Sequence, residues 1–317
     1  MHLAALDLGS NSVKLLLLQR QPGGGLVEIM EPARVTRLAA GVDKSGRLAE
    51  DRMVETLEAV AEFLRQIPEG VHGLGVAVAT SAVRDAANGQ AFLDRVAALL
   101  HGCRPLLISG EEEATTVFRG AASDRPADEI CACIDAGGGS TEIAVGASFA
   151  CGWHTSLPLG CVRLGEKFSL LDAAKPEAAT QAADAVRKTA AEACAEIGKR
   201  FRNQPLRFLA SGGTAACLGA IAGAGSIAEK ARLHGMRIPL PDIRSWADRL
   251  LPMTVEERRR VPGMPGDRAA VLPAGLLILS EILVGLGAAE LTLTSRGLRY
   301  GLALRLLAGE IEPVWRW

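Results

Sequence analysis

Over Ala5 to Leu17 the chain reads "ALDLGSNSVKLLL": an apolar run closed by Asp7, a short polar turn, and a second apolar run. Apolar segments of this length on either side of a turn predict two strands and the tight connection between them. Cys133 to Gly146, "CIDAGGGSTEIAVG", repeats the pattern with three consecutive glycines in the turn. Setting Asp7 over Asp135 also sets Gly9 over Gly137 and Ser12 over Ser140, so D-x-G-x-x-S recurs 128 positions on. A pattern that is weak once becomes an internal duplication when it returns in register.

Around each hairpin, strands alternate with helices. "VHGLGVAVATSAVR" predicts a strand over 73–79, and helical spacing runs through "EDRMVETLEAVAEFLRQI", "GQAFLDRVAALLHG" and "EEEATTVFRGAA". The first and third of these carry acids in the opening turn, where the helix dipole favours them. "SDRPADEI", Ser123 to Ile130, is the candidate boundary between the halves. Beyond the second hairpin come an Ala-rich helix from about Lys175 to Arg202, the strand-to-helix segment "LRFLASGGTAACLGAI", and the segments "PDIRSWADRLL" and "VEERRRV". An apolar helix holding Glu281, a short strand "ELTLTS" and a last helix "RGLRYGLALRLLAG" complete an α/β pattern in two similar halves.

Composition narrows the function classes. The 317 residues correspond to about two domains at roughly 150 residues each. Lys and Arg number 35 against 36 Asp and Glu, a formal charge of -1, so the chain lacks the basic field of a nucleic-acid binder and must hold any anion locally. Seven cysteines (Cys103, Cys131, Cys133, Cys151, Cys161, Cys194, Cys217) include no CxxC pair and read as reduced core residues. The first residues lack the basic start of a signal peptide, and Glu281 and Glu290 interrupt the longest apolar stretch. A cytoplasmic protein without a membrane span is the expectation.

Three turns share one chemistry: "DLGSNS", "DAGGGST" and "SGGTAA". Successive backbone N–H groups in such turns form concave anion sites, and the hydroxyls of Ser10, Ser12, Ser140, Thr141 and Thr214 add donors. For one turn alone, the need of a tight hairpin for Gly and Ser is the simpler explanation. Three turns, two of them in register, favour phosphate. Asp7 and Asp135 end strands at these turns, where a carboxylate either caps its own turn or binds a divalent cation. Asp135 has Glu142 across its hairpin and is weighted higher as a metal ligand. In "ISGEEEATTVF", Glu111, Glu112 and Glu113 are either dipole-favouring surface acids or the source of a carboxylate that activates water. Arg84, in "ATSAVRDAANG", pairs with a surface acid or clamps phosphate oxygens.

Taken in order, "DLGSNSVKL", "ATSAVRDAANG", "ISGEEEA", "IDAGGGSTE", "SLPLGCVRL" and "ASGGTA" resemble the exopolyphosphatase and guanosine pentaphosphate phosphohydrolase (Ppx/GppA) family over essentially the whole chain. The resemblance implies the actin-like ATPase fold: two ribonuclease-H-like domains around an interdomain phosphate cleft. They are expected at 1–125 and 126–299, with the C-terminal helix over about 300–317 completing the first. It implies Glu113 as catalytic base and Asp135 and Glu142 as ligands of Mg²⁺ or another divalent cation. Phosphate would be held by Ser10, Asn11, Ser12, Arg84, Gly137, Gly138, Gly139, Ser140, Thr141, Gly212, Gly213 and Thr214.

The implied reaction is hydrolysis of the terminal anhydride of inorganic polyphosphate, or of guanosine pentaphosphate, by a homodimer that binds no nucleic acid. The chain is similar to short members that lack an additional helical C-terminal region. Two positions depart from the family pattern: "RAAVL" has Ala270 where many members carry Asp, and "LRYG" has Tyr300 where many carry Glu. Two rival readings are an actin-like kinase or ATPase and a non-catalytic sensor of polyphosphate or guanosine polyphosphates.

Overall fold

A computed structural model describes residues 1–226 and 230–317. The first sheet begins with β1 (His2–Leu8), β2 (Ser12–Arg20), β3 (Leu26–Met30) and β4 (Ala33–Val35). The chain continues through α1 (Val42–Ser45), α2 (Glu50–Arg65), β5 (Gly73–Ala79), α3 (Ser81–Asp85), α4 (Gly89–Leu99), β6 (Leu106–Leu107) and α5 (Gly110–Ala121). A second sheet then opens with β7 (Ile130–Ala136), β8 (Thr141–Ala147) and β9 (Ala150–Leu157).

Helices α6 (Cys161–Lys167) and α7 (Pro176–Arg200) lead to β10 (Leu206–Ser211), α8 (Gly212–Gly219) and α9 (Lys230–Leu233). Then come β11 (Arg237–Pro239), α10 (Leu240–Leu250), α11 (Val255–Arg259), α12 (Leu272–Gly285) and β12 (Glu290–Leu293). The chain finally returns to the first sheet through α13 (Leu298–Leu307) and β13 (Trp315–Arg316).

The duplication read from the sequence is a duplication of topology. The first sheet has the order β13-β5-β1-β2-β3, with β4 and β6 at its margins, and the second β11-β12-β10-β7-β8-β9. In each, the central strand pairs antiparallel with the next strand and parallel with the strand that follows a crossover: β1 with β2 and β5, β7 with β8 and β10. The registers match as well, for Asp7 faces Lys14 across the first hairpin and Asp135 faces Glu142 across the second.

The sheets meet through α5 and α13. Phe118, Val117 and Ala114 of α5 and Leu302 and Leu306 of α13 pack with Ala5, Val76 and Val78 of the first sheet and Cys133 and Leu209 of the second. Burying a side chain the size of Phe118 contributes about 2–3 kcal/mol. A Cβ at Gly301 would lie 1.9 Å from the Thr116 carbonyl oxygen, so glycine lets the two helices touch backbone to backbone. This contact fixes α5, and α5 carries Glu113.

The apolar helix expected around Glu281 is α12, buried along almost its whole length. Glu281 is tolerated there because Arg187 of α7 donates to it at 2.7 Å. Among the described residues, no helix is long and apolar enough to cross a membrane. All seven cysteines are free, five of them buried. Strand β9, which the sequence reading does not single out, lacks clean period-two alternation because its positions are mostly half-buried.

Candidate active site

The two hairpin turns face each other across a cavity of about 540 Å³. Its wall includes Ser10, Asn11 and Ser12 from the first turn, Gly137, Gly138 and Ser140 from the second, and Gly212 and Gly213 from the third. The turns are in contact: a Cβ at Gly138 would lie 2.9 Å from the Asn11 backbone nitrogen, and one at Gly139 would lie 2.4 Å from Ser81 Oγ. Only glycines allow this approach. On the first turn, Ser10 Oγ is hydrogen-bonded to Ser81 Oγ (2.8 Å) and accepts from the Ala82 N–H (3.2 Å). Asn11 keeps both side-chain amide atoms buried and without a protein partner.

Six carboxylates line the same cavity, Asp7, Glu28, Glu31, Glu113, Asp135 and Glu142, and four of them, Asp7, Glu113, Asp135 and Glu142, act on one another through their charges. Helix geometry separates the three consecutive acids of α5. Glu112 closes a capping box with Ser109, Glu111 is exposed, and Glu113 turns inward. Glu113 is buried and its Oε2 has no partner. Burial first, then the charges of Glu142, Asp7 and Asp135, push its carboxyl well above the usual range, with Arg84 opposing them. Burial and Asp135 push Glu142 up to about 7 against hydrogen bonds from Ser156 and Ser140. Burial raises Asp7 too, against the nearby cations of Lys14 and Arg299. Asp135 accepts from Ser211 Oγ at 2.8 Å.

Four cations that the sequence reading did not name complete the wall: Lys14, Arg268, Arg296 and Arg299. Lys14 is pushed down to about 8 by burial and by the neighbouring Arg299. The duplication held the signal for it, since Lys14 occupies in the first hairpin the register position of Glu142 in the second. Arg268 donates to Ser12 Oγ at 3.0 Å and packs its guanidinium against Gly213. Its loop is anchored by Arg258, a fully buried guanidinium that donates to the carbonyls of Ala269 (3.3 Å) and Ala270 (3.2 Å). Tyr300 also lines the cavity, with the Arg296 guanidinium 4.6 Å above its ring.

The structure does not bring Arg84, Gly139, Thr141 and Thr214 to the cavity wall. Arg84 donates to the Ile108 carbonyl at 2.9 Å, close enough to Glu113 and Glu142 to act on them through its charge. Gly139 is packed on Ser81. The hydroxyls of Thr141 and Thr214 donate to the carbonyls of Leu159 (2.5 Å) and Ala136 (2.7 Å), which occupies their protons and holds the turns in shape.

Among the described residues, no group of three His, Cys, Asp or Glu side chains forms an all-protein metal cage. The donor set fits a hard cation of another kind. Mg²⁺ is commonly held by one or two carboxylates and completed by water and substrate phosphate. Asp135 and Glu142 are carboxylates of that kind in one wall, and the unpartnered Asp7 Oδ1 lies in the same wall.

Known proteins resemble this chain in sequence and in fold. The model of the Ppx/GppA phosphatase family matches residues 17–310. Exopolyphosphatase 2 of Mycobacterium tuberculosis is 31% identical over 321 aligned positions, covering 96% of this chain and 98% of its own. The crystal structure of the Aquifex aeolicus Ppx/GppA family member has a TM-score of 0.79 at 30% identity, covering 98% of each chain. The fold alone is shared with an exopolyphosphatase from Cytophaga hutchinsonii, 23% identical with a TM-score of 0.87 over 99% of this chain and 100% of that one. The duplicated halves are thus the actin-like α/β fold that the family resemblance implied.

Proposed function

The chain belongs to the Ppx/GppA phosphatase family, and from that premise we propose that it is an exopolyphosphatase, a phosphoanhydride hydrolase that releases orthophosphate processively from the end of inorganic polyphosphate. The observation that carries the reading is Glu113: a buried carboxylate with a free oxygen in the wall of a cavity whose other sides are phosphate-cradling turns. Residues 1–125 with the C-terminal stretch form one domain in this reading, and 126–299 the other. The return of β13 to the first sheet supports that division.

The terminal phosphate lies against the backbone N–H groups of Gly138, Gly212 and Gly213 and the hydroxyls of Ser10 and Ser12, while the Gly137 N–H donates to the Ser140 carbonyl (3.0 Å) and the Ser140 hydroxyl to Glu142, which shapes the second turn. Asn11 adds an amide donor, and Lys14 and Arg268 balance the phosphate charge. A divalent cation on Asp135 and Glu142 would neutralise further charge on the anhydride oxygens. Glu113 accepts a hydrogen bond from the attacking water and takes its proton as the water oxygen bonds to the terminal phosphorus. The bond from that phosphorus to the bridging oxygen breaks, and the shortened chain leaves with the electron pair. A carboxyl raised by burial and like charges is a stronger base than a solvated one, which suits this step.

Phosphate release with Mg²⁺ from short polyphosphate, long polyphosphate, guanosine pentaphosphate and ATP, each beside Glu113→Gln, tests the reading. General-base losses of about 10²- to 10⁴-fold are expected in the variant. A Glu113→Gln rate near that of the parent would remove Glu113 from the role. Tight binding without release from any of the four would identify a sensor.

A further inference from the structure

The second glycine turn does not stand alone; it is carried by α6. The N–H groups of Cys161 and Val162 donate to the carbonyls of Gly137 (2.9 Å) and Gly138 (3.0 Å). Arg163 Nε donates to the carbonyl of Gly139 at 2.8 Å. A Cβ at Gly160 would lie 2.1 Å from the Gly138 carbonyl oxygen, so the turn and the start of α6 form one packed unit. That unit belongs to the second sheet's half of the molecule.

Arg163 also reaches the other half. One terminal nitrogen donates to Asp43 Oδ1 at 2.5 Å, in the first turn of α1, and the other to Asp85 Oδ2 at 2.7 Å, at the end of α3. One turn further along α6, Glu166 accepts the N–H of Gly41 at 3.1 Å. Exposed ion pairs of simple geometry contribute little. This one differs, because a single planar guanidinium satisfies a turn carbonyl and two carboxylates from separate elements while being only 25% exposed. Lysine, a point charge without a fork, could not make all three contacts.

We propose that Arg163 is a positioning residue: it clasps the Gly137–Gly139 turn onto the first half, so that the phosphate cradle is assembled before substrate arrives. The residue does not line the cavity and acts through the turn it holds. Loss of the clasp lowers the fraction of molecules with an assembled cradle, and apparent affinity falls by that fraction while the assembled site works as before. The kinetic arm of the test rests on the hydrolase reading above; the structural arm does not.

The test compares the full chain with Arg163→Ala, Arg163→Lys and Asp43→Asn/Asp85→Asn. In substrate-free protein, amide hydrogen exchange should rise about tenfold over 136–141 and 39–45 in Arg163→Ala, with α12 still protected. With polyphosphate, KM should rise about tenfold while kcat stays within about twofold. The double Asn variant should follow Arg163→Ala, and Arg163→Lys should recover only part of the effect. Unchanged exchange in both segments overturns the clasp, as does a fall in kcat at unchanged KM. If the parent protein releases no phosphate, the hydrolase reading fails and exchange alone decides the clasp. If Arg163→Ala does not fold, the double Asn variant decides by the same two readouts.

Discussion

Arg268 of the second half donates to Ser12 Oγ of the first at 3.0 Å, across the cleft between the two sheets. The cradle is therefore a joint product of both halves, and the guanidinium that joins them also faces the cavity.

Replacing Arg268 removes a charge-assisted contact worth about 1.5–3 kcal/mol in a buried site. Arg268→Ala is expected to lower kcat/KM for polyphosphate by about ten- to a hundredfold and the melting midpoint by a few degrees. Arg268→Lys should recover the loss only in part, since it cannot lie flat on Gly213 and reach Ser12 at once. Steady-state kinetics beside a thermal melt checks both.

Gly212 has φ +81, and a Cβ there would lie 2.2 Å from Asp135 Oδ1. Gly212→Ala should lower stability by about 1 kcal/mol or more and displace the carboxylate, so activity falls with stability. Gly287, at φ +65 with nothing within 4 Å, provides the control. Gly287→Ala should show the backbone cost without the loss of turnover. Equal activity losses in the two variants would contradict the assignment of Asp135.

Lys14 titrates near pH 8, pushed down from its ordinary 10.5 by burial and Arg299. Below pH 8 it is charged and helps hold phosphate; above, it is neutral. The free enzyme should therefore lose kcat/KM as pH rises through about 8, the parameter that reports free-enzyme ionisations. In stability the sign is opposite. The unfolded chain binds the Lys14 proton more tightly between pH 8 and 10.5, so this residue favours the folded state increasingly as pH rises through that window. Lys14→Met should abolish the alkaline activity limb.

Asp7, Glu113, Asp135 and Glu142 share one cavity wall. Adding Mg²⁺ to protein stripped with EDTA should raise the melting midpoint, by an amount equivalent to about 2.7 kcal/mol at a hundred times the dissociation constant. Asp135→Asn should reduce that gain, and a control with Na⁺ at equal ionic strength should not reproduce it. A melting midpoint indifferent to Mg²⁺, Mn²⁺ and Ca²⁺ would exclude a resident cation on these carboxylates.

Much of the site was legible because its signals are local. A turn between two apolar runs needs only neighbouring residues to declare itself, and its return 128 positions on declared the duplication. The residues alone left Glu113 within a set of three acids and the resemblance singled it out; the capping box that engages Glu112 is the physical reason the next residue turns inward. Thr141 and Thr214 looked like phosphate donors from the turn alone. Their hydroxyls are engaged by carbonyls 18 and 78 residues away, a fact that no local pattern contains.

The sequence by itself determined the α/β pattern, the paired hairpins, the glycine turns and the carboxylates at their strand ends. Hydrophobic period and turn chemistry act over a few residues, and these features need nothing more. Tertiary structure alone decided which arginines reach the cavity. Arg268 lies 256 residues from the Ser12 it meets, and Arg299 284 from the Leu15 carbonyl it meets. Such contacts exist only because α5 and α13 pack the two sheets together. Charge in a buried cleft is arranged by that packing, and packing is a property of the whole chain.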